Sequence, residues 1–198
     1  MKLNKIVFTT SVANGPLLNQ GAEIAVVGRS NAGKSSFINY LADNGKLAKT
    51  SSTPGRTRLI NYFEVNCGEF FLVDLPGYGF ARVSKDEKTK WGDIIEGYLQ
   101  NSIMLKHLFI ITDIRIPDSP YDIQMINYCY HYNIPFTIIA NKSDKVAKSK
   151  VPNAVRVLAS GLKVAPGNII PVSCLNKTGK EAVLDRIEQI LTNENKFE

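Results

Sequence analysis

The sequence predicts an α/β fold, with one open, mostly parallel sheet and helices on both of its faces. Apolar runs that do not alternate with polar residues recur along the chain, as expected of strands buried on both sides. Segments whose apolar residues repeat at helical spacing separate these runs. Glycine-containing and polar motifs directly follow several of the runs. Because ligands bind at the carboxyl ends of parallel strands, these motifs are expected to meet at one edge of the sheet.

We expect six strands, one of them antiparallel. The predicted strands cover residues 23–27, 59–65, 69–73, 105–112, 136–140 and 169–172, and the predicted helices cover about 36–41, 91–99, 120–132, 151–161 and 179–191. Asn66-Cys67-Gly68 is typical of a hairpin, which makes the second and third strands antiparallel. Residues 1–22 are expected to form an N-terminal extension, with a short strand at 6–10, packed on a single domain at 23–198.

Helical spacing also predicts which large side chains are buried. Trp91 lies on an apolar stripe of its helix, so we expect it in the core rather than on a base-stacking surface. In the helix at 120–132 the same spacing predicts burial of Ile123, Ile126 and Tyr130.

Length and composition indicate a globular protein. The 198 residues suffice for one domain with a sizeable core, and the 44% hydrophobic and 21% charged contents are ordinary for a soluble chain. No apolar run approaches the ~20 residues of a membrane span, so we expect no membrane insertion and a cytoplasmic location. The three cysteines and two histidines are scattered without metal-ligand spacing, which favours structural roles.

The charge balance points weakly to a polyanionic partner. The formal net charge is +6, and a nucleotide alone does not require an excess of that size. Many soluble proteins carry a similar balance without touching nucleic acid, and the lysines form no single dense run. Both interpretations stay open on composition alone.

The most informative motif is Gly28-Arg29-Ser30-Asn31-Ala32-Gly33-Lys34-Ser35, which follows the apolar run 24–27 and precedes a helix. Glycines let successive backbone N–H groups face one anion, and the helix N-terminus adds partial positive charge. Lys34 is positioned for terminal phosphates, and the Ser35 hydroxyl for a magnesium ion. An ordinary strand-to-helix turn would explain the glycines but not Lys34-Ser35 at this spacing. We expect all eight residues and Ser36 to contact nucleotide.

A second motif, Asp74-Leu75-Pro76-Gly77, ends a predicted strand 39 residues beyond Ser35. Its aspartate is suited to hold magnesium through water, and the Gly77 amide to meet the terminal phosphate. Leu75 and Pro76 are expected in the same contact set.

A third motif, Asn141-Lys142-Ser143-Asp144, selects the base. Guanine presents a ring N–H beside an amino group, and the Asp144 carboxylate can accept from both, whereas adenine offers no such pair. The Lys142 stem is expected along the base plane and Asn141 as a brace of the loop. After the last strand, Val172, Ser173 and Cys174 are expected near the guanine oxygen. The motifs together predict binding of GTP and GDP.

The polar segment between the first helix and residue 59 is the candidate for a nucleotide-dependent loop. Thr57 is our preferred conditional magnesium ligand, and Thr53 competes with it. A loop that orders only around a third phosphate would act as a switch, with a second switch from Asp74 to about Lys90. The contact residues expected here are Gly55, Arg56, Thr57, Arg58 and Leu59.

Taken together, these stretches resemble the EngB (YsxC/YihA) group of bacterial GTPases. The resemblance rests on residues 28–36, 51–57 and 74–79, on Lys90-Trp91-Gly92, and on Asp113-Ile114-Arg115. Asn141-Lys142-Ser143-Asp144 departs from the Thr-Lys-Ala-Asp associated with the group but keeps the lysine and the aspartate. The resemblance implies a P-loop NTPase with a Ras-like G domain. It also implies a role in maturation of the large (50S) ribosomal subunit with its rRNA, and an association with cell division and septation.

Catalysis is expected to be in-line attack of water on the terminal phosphoryl group. The catalytic candidates are Lys34, Thr57, Gly77 and Asn31. The expected ligands of Mg²⁺ are Ser35, Thr57 and Asp74. Tyr78 stands where the Ras-like pattern has a water-orienting glutamine, so slow intrinsic turnover is predicted. Asn31 resembles the asparagine of potassium-activated GTPases; it either helps to hold K⁺ or only braces the loop.

Three function classes are compatible with these motifs. A switch GTPase acting on ribosome assembly is favoured. An RNA-binding scaffold that uses nucleotide only for stability is the second class, and a small-molecule phosphotransferase, which the guanine motif disfavours, is the third. A monomer is the default expectation.

Overall fold

The computed structural model describes residues 1–17, 21–48, 59–79 and 85–192, and of residues 85–91 the backbone alone. The strands are β1 (Ile6–Val12), β2 (Glu23–Gly28), β3 (Ile60–Val65), β4 (Phe70–Asp74), β5 (Leu105–Asp113), β6 (Phe136–Asn141) and β7 (Ile169–Pro171). The helices are α1 (Lys34–Leu41), α2 (Lys85–Asn101), α3 (Pro120–His131), α4 (Val151–Leu162) and α5 (Lys180–Thr192). The predicted alternation of strands and helices is confirmed.

The strands form one sheet in the order β1-β3-β4-β2-β5-β6-β7. Pairing is parallel from β4 through β2, β5 and β6 to β7, and antiparallel where β3 meets β1 and β4. The sheet has seven strands rather than the expected six, because the N-terminal segment pairs with β3 from Ile6↔Val65 to Val12↔Ile60. The mostly parallel sheet with β3 as the antiparallel strand is confirmed.

The hairpin between β3 and β4 is also confirmed. Asn66, Cys67 and Gly68 have φ values of 50°, 61° and 94°, the left-handed conformations that a tight hairpin of this twist requires.

The sheet separates two apolar layers. Alternate residues of β2 face opposite sides: Ala25 and Val27 join the layer under α2, α3 and α4, whereas Ile24 and Val26 join the layer under α1 and α5. Burial on both faces explains the continuous apolar runs from which these strands were predicted.

Two expectations need correction. α2 begins at Lys85 rather than near 91, because its first turns are polar and carry no apolar periodicity. Tyr130 is 54% exposed, since the buried stripe of α3 runs through Asp122, Ile126 and Cys129 and leaves Tyr130 at its rim. The side chain of Trp91 lies outside the described residues.

The carboxyl ends of β2, β4, β5 and β6 lie along one edge of the sheet, ending at Gly28, Asp74, Asp113 and Asn141. The register places Val26 beside Asp74 and Asp113 beside Asn141. The three predicted motifs therefore converge at this edge. No helix in the described part of the chain is long and apolar enough to cross a membrane.

Candidate nucleotide-binding site

The loop Gly28–Ser35 connects β2 to α1, and its two flanking glycines are sterically required. Gly33 caps α1 with φ 97°, and a Cβ there would lie 2.3 Å from the Asn141 side-chain nitrogen. A Cβ on Gly28 would lie 2.8 Å from the Ile111 carbonyl oxygen. A side chain at either position would push the loop off β5 or β6, so the sequence fixes the close approach of this loop to the sheet edge.

Lys34 and Asp74 meet at the start of α1. The Lys34 ammonium contacts the Asp74 carboxylate, which also accepts a hydrogen bond from the Asn61 amide at 3.2 Å. Asp74 is only 4% exposed, and Ser35 lies half-buried one residue after Lys34. The cation predicted to bind phosphate and the carboxylate predicted to hold magnesium are thus in direct contact.

These donors fit a magnesium ion that arrives with nucleotide. No group of three His, Cys, Asp or Glu side chains within the described ranges could hold a metal by itself. Mg²⁺ commonly takes one or two carboxylates and completes its shell with hydroxyls, water and phosphate oxygens. Asp74 and Ser35 supply the protein part of such a set.

The guanine motif is tied directly to the phosphate loop. The Asn141 amide donates to the Ala32 carbonyl at 3.0 Å, and the Lys142 ammonium donates to the Asn31 carbonyl at 2.7 Å. The predicted bracing role of Asn141 therefore has a geometric basis. These hydrogen bonds connect the loop predicted to bind the base with the loop predicted to bind the phosphates.

Asp144 faces an open cleft of about 580 Å³ that Gly33, Ser36, Lys142 and Cys174 also line. Its carboxylate accepts from the Ser173 hydroxyl at 2.7 Å, and Lys145 lies 3.5 Å from its other oxygen. The Ser173 hydrogen bond, followed by Lys145, lowers the pKa of Asp144 below its ordinary value. The group is therefore an ionised acceptor at neutral pH, as recognition of guanine requires.

The last predicted contact loop follows β7. Val172 is fully buried, and its carbonyl accepts from the Ser143 amide at 3.1 Å, while the Ser173 hydroxyl also accepts from the Asn176 amide at 3.0 Å. This loop is thereby fixed against the guanine motif and places Cys174 at the cleft.

Asp113 lies at the site, although the sequence motifs alone indicate no role for it. Although burial acts to raise its pKa, hydrogen bonds from Arg115 (2.7 and 2.9 Å) and from Lys142, whose ammonium lies 3.1 Å away, lower that pKa strongly. Asp113 therefore holds Lys142 against the phosphate loop. In the sequence, only the family resemblance points to Asp113 and Arg115.

A second unpredicted group surrounds Tyr78. Its backbone N–H donates to Gly28 and its carbonyl accepts from Ser30, at 3.2 and 3.0 Å, so this residue pairs with the phosphate loop. Its hydroxyl donates to the buried Asp122 at 2.8 Å, and the Arg29 Nε lies 3.6 Å from the other Asp122 oxygen.

Burial shapes the ionisation of this group. Burial, followed by the neighbouring Asp122, raises the pKa of Tyr78 well above its ordinary value, and burial raises the pKa of Asp122. Tyr78 therefore stays a hydrogen-bond donor at neutral pH. Asp122 follows a Ser119-Pro120 helix start, so in the sequence it looks like an ordinary first-turn acid.

Asn31 is exposed and adopts a left-handed backbone with φ 64°. Its carbonyl receives Lys142, while its side-chain amide forms no hydrogen bond with any residue in the described ranges. Any bracing by Asn31 seen here is thus through its backbone.

The remaining predicted residues divide into two groups. Leu75 and Pro76 are buried directly after β4, and Gly77 is half-buried. Leu59 is 41% exposed beside β3. Thr53, Gly55, Arg56, Thr57 and Arg58 lie outside the described residues.

Comparison with known proteins decides the family. Residues 23–142 match the model of a family described as 50S ribosome-binding GTPase. The chain is 46% identical over 170 residues to the probable GTP-binding protein EngB of Clostridium kluyveri, covering 85% of this chain and 86% of that protein. It is 42% identical over 187 residues to the probable EngB of Mycoplasma mycoides, covering 93% and 95%.

The chain belongs to the EngB family of GTP-binding proteins. The resemblance inferred from the motifs is confirmed, and the protein is a GTPase with the P-loop fold. A crystal structure of a probable EngB superposes with a TM-score of 0.73 at 25% identity, covering 87% of this chain and all of that one. The Era structure in complex with MgGDPNP and nucleotides 1506–1542 of 16S ribosomal RNA gives a TM-score of 0.61 at 22% identity, covering 86% of this chain and 56% of that one. The second likeness concerns the fold alone.

Proposed function

We propose that this EngB-family GTPase is a nucleotide-dependent switch in the assembly of the large (50S) ribosomal subunit. The observation that carries the proposal is that the predicted guanine-binding motif and the predicted phosphate-sensing segment both hydrogen-bond to the loop at 28–35. Lys142 holds the Asn31 carbonyl from the guanine side, while the backbone of Tyr78 pairs with Gly28 and Ser30 from the other side. Gain or loss of the terminal phosphate would therefore change the conformation of the segment that follows Asp74.

Two observations support the large subunit as the partner. The matching family model carries the description 50S ribosome-binding GTPase, and the net charge of +6 suits an RNA-rich partner. In this proposal the protein works as a cytoplasmic monomer, and normal cell division and septation depend on it through the supply of subunits.

Gly77 is the proposed sensor of the third phosphate. Its amide donates to no group among the described residues, and its neighbour Tyr78 is fixed to the phosphate loop. We propose that the Gly77 amide donates to the terminal phosphate of GTP, and that Thr57 adds a hydroxyl to Mg²⁺ only in that state. Loss of the phosphate on hydrolysis would release both contacts.

Hydrolysis would depend on positioning and on neutralisation of charge. Lys34 would bind terminal phosphate oxygens, and Asp74 and Ser35 would hold the magnesium ion, which supplies charge neutralisation when bound. The Tyr78 hydroxyl is committed to Asp122, so it does not orient the attacking water. Intrinsic turnover is therefore slow in this proposal. The Asn31 side-chain amide, which hydrogen-bonds to no residue in the described ranges, is available to a potassium ion beside the phosphates.

Co-sedimentation with purified large subunits tests the proposal. The protein is mixed with subunits in the presence of GDP, of a non-hydrolysable GTP analogue, or of no nucleotide. We expect the protein to associate most strongly with the subunits in the presence of the GTP analogue. Equal association in all three conditions would indicate a scaffold that uses nucleotide only for stability. Phosphate transfer to a small acceptor in preference to water would indicate a phosphotransferase.

A further inference from the structure

The positive charge of this protein is concentrated in one part of the chain. Residues 145–180 contain seven Lys and Arg and no Asp or Glu. The rest of the chain contains seventeen Lys and Arg against eighteen Asp and Glu, so it is close to neutral. The whole excess of +6 therefore comes from a stretch of 36 residues, although the spacing of its lysines hides this concentration in the sequence.

This stretch lies at one side of the molecule. It contains α4 and β7, which contact each other, and β7 is the last strand of the sheet. Six of its seven cationic residues are exposed, whereas Lys180 is half-buried and bound to Asp43 at 2.6 Å. One sheet edge thus carries most of the unbalanced charge.

Five of these cations have no ion-pair or hydrogen-bond partner for their side chains within the described ranges. We call this set the basic edge: Lys148, Lys150, Arg156, Lys163 and Lys177. The cations around the nucleotide site differ, since Lys34, Arg115 and Lys142 are each paired with an aspartate. A cation without an internal partner can bind an outside anion without first giving up an ion pair.

The geometry of α4 favours an extended anion over a small one. Lys150 precedes the helix, Arg156 lies in its middle, and Lys163 caps its end. At ~1.5 Å per residue the three span roughly 20 Å. The exposed positions between these three cations hold Pro152, Asn153, Val157 and Ser160, none of which is acidic. A nucleic-acid duplex carries about one phosphate charge per 1.7 Å of axis, so several phosphates fit along this length.

We propose that the basic edge binds the phosphate backbone of RNA in the large ribosomal subunit. The choice of RNA rests on the proposed function, whereas the location rests on charge and exposure. Because phosphates alone would be contacted, binding is expected to depend strongly on salt and little on sequence. Lys148 lines a surface depression together with Asp144 and Ser173, so the proposed RNA site adjoins the predicted guanine site.

Matched charge variants test the proposal in the full-length protein. The test variant carries Lys150→Gln, Arg156→Gln and Lys163→Gln. The control carries Lys2→Gln, Lys5→Gln and Lys46→Gln, which removes three exposed cations elsewhere. Affinity for purified large subunits and for their isolated rRNA is measured against KCl concentration. The test variant is expected to bind at least about 10-fold more weakly than wild type. The magnitude of its slope of log K against log [KCl] is expected to be smaller by about 2–3. The control is expected to keep the wild-type slope within about 1.

Two further measurements control for loss of nucleotide binding and for unfolding of the triple variant. GDP affinity is expected to be equal in all three proteins, because no substituted residue belongs to the nucleotide site. The single variant Arg156→Gln, expected to lower the slope by about 1, replaces the triple variant if the latter unfolds.

Each other outcome overturns a stated part of the inference. If wild-type protein binds subunits and the test variant matches the control, the basic edge is not the RNA surface, although the proposed function stands. If wild-type protein binds neither subunits nor rRNA in any nucleotide state, both fail. If phosphatidylserine vesicles bind as tightly as rRNA and the test variant loses that binding, the partner of this surface is a membrane rather than RNA.

Discussion

The hydroxyl of Tyr78 donates a 2.8 Å hydrogen bond to Asp122, a carboxylate with no exposed surface in the first turn of α3. Tyr78 directly follows Gly77, and its backbone is paired with the phosphate loop. One residue thus connects the proposed phosphate sensor to α3, the helix that follows β5. The bond holds the segment after Asp74 in the arrangement seen here.

Tyr78→Phe removes this hydrogen bond and keeps the ring. Hydrogen bonds to charged groups contribute about 1.5–3 kcal/mol, so we expect the free energy of unfolding to fall by about 1–2 kcal/mol. With the segment less constrained, affinity for a GTP analogue relative to GDP is expected to rise several-fold. Urea unfolding and fluorescence titration measure the two quantities. Tyr132→Phe, at an exposed tyrosine, is the control, and an unchanged nucleotide ratio in Tyr78→Phe would show that the bond does not restrain the sensor.

Asp144→Asn is expected to change the base that is accepted. Xanthine presents a carbonyl where guanine has its amino group, and an asparagine amide can donate to that oxygen. We expect GDP affinity to fall by at least 100-fold and xanthosine diphosphate affinity to rise, as measured by competition against a fluorescent nucleotide. Asp185→Asn, at an exposed position of α5, serves as control and is expected to change neither GDP affinity nor xanthosine diphosphate affinity. Retention of guanine preference in Asp144→Asn would exclude this carboxylate as the selector.

Potassium is expected to accelerate hydrolysis if Asn31 helps to hold a monovalent ion. Turnover of GTP by the free protein is compared in equimolar KCl and NaCl, and we expect at least a several-fold difference that Asn31→Ala abolishes. The K⁺ stimulation should disappear without a large change in GDP affinity, because the backbone contact of Asn31 with Lys142 is kept. Equal rates in the two salts for wild-type protein would leave Asn31 with a backbone role only.

His107 makes stability depend on pH. Burial, followed by the nearby Arg186, lowers the pKa of His107 from 6.5 to about 4. The unfolded chain therefore binds a proton near pH 6.5 while the folded protein resists it, so this contribution is complete above pH 6.5 and is lost as pH falls towards 4. Linkage gives a loss of about 2 kcal/mol between pH 7 and pH 5.

His107→Gln tests this directly. The variant is expected to lose less stability than wild type between pH 7 and pH 5 in chemical unfolding, by about that amount. His131→Gln, at an exposed histidine of α3, is expected to keep the wild-type pH profile. Parallel profiles for wild type and His107→Gln would mean that folding does not lower the pKa of His107.

The sequence predicted those features that are encoded locally. The loop at 28–35 could be placed because its glycines, lysine and serine lie together after an apolar run, and Asp144 because its motif also follows a strand. Both are brought to one edge by the parallel sheet, which the strand–helix alternation already implied.

The unpredicted features depend on contacts between distant parts of the chain. Arg29 and Tyr78 belong to the predicted motifs, but their contacts with Asp122 were not predicted, because Asp122 is far from both in sequence and looks there like an ordinary first-turn acid. The pairing of β1 with β3, which adds the seventh strand to the sheet, likewise depends on partners about fifty to sixty residues away. The concentration of positive charge at the basic edge is not evident in the sequence, because the seven cations of residues 145–180 are spread over 36 residues.

The central claim, that nucleotide state and large-subunit binding are coupled, is tested most directly by measuring nucleotide affinity with and without subunits. By linkage, a subunit that prefers the GTP state must raise affinity for GTP by the same factor relative to GDP. We expect saturating purified large subunits to increase the ratio of GTP-analogue affinity to GDP affinity by about 10-fold or more. An identical ratio with and without subunits would contradict the account.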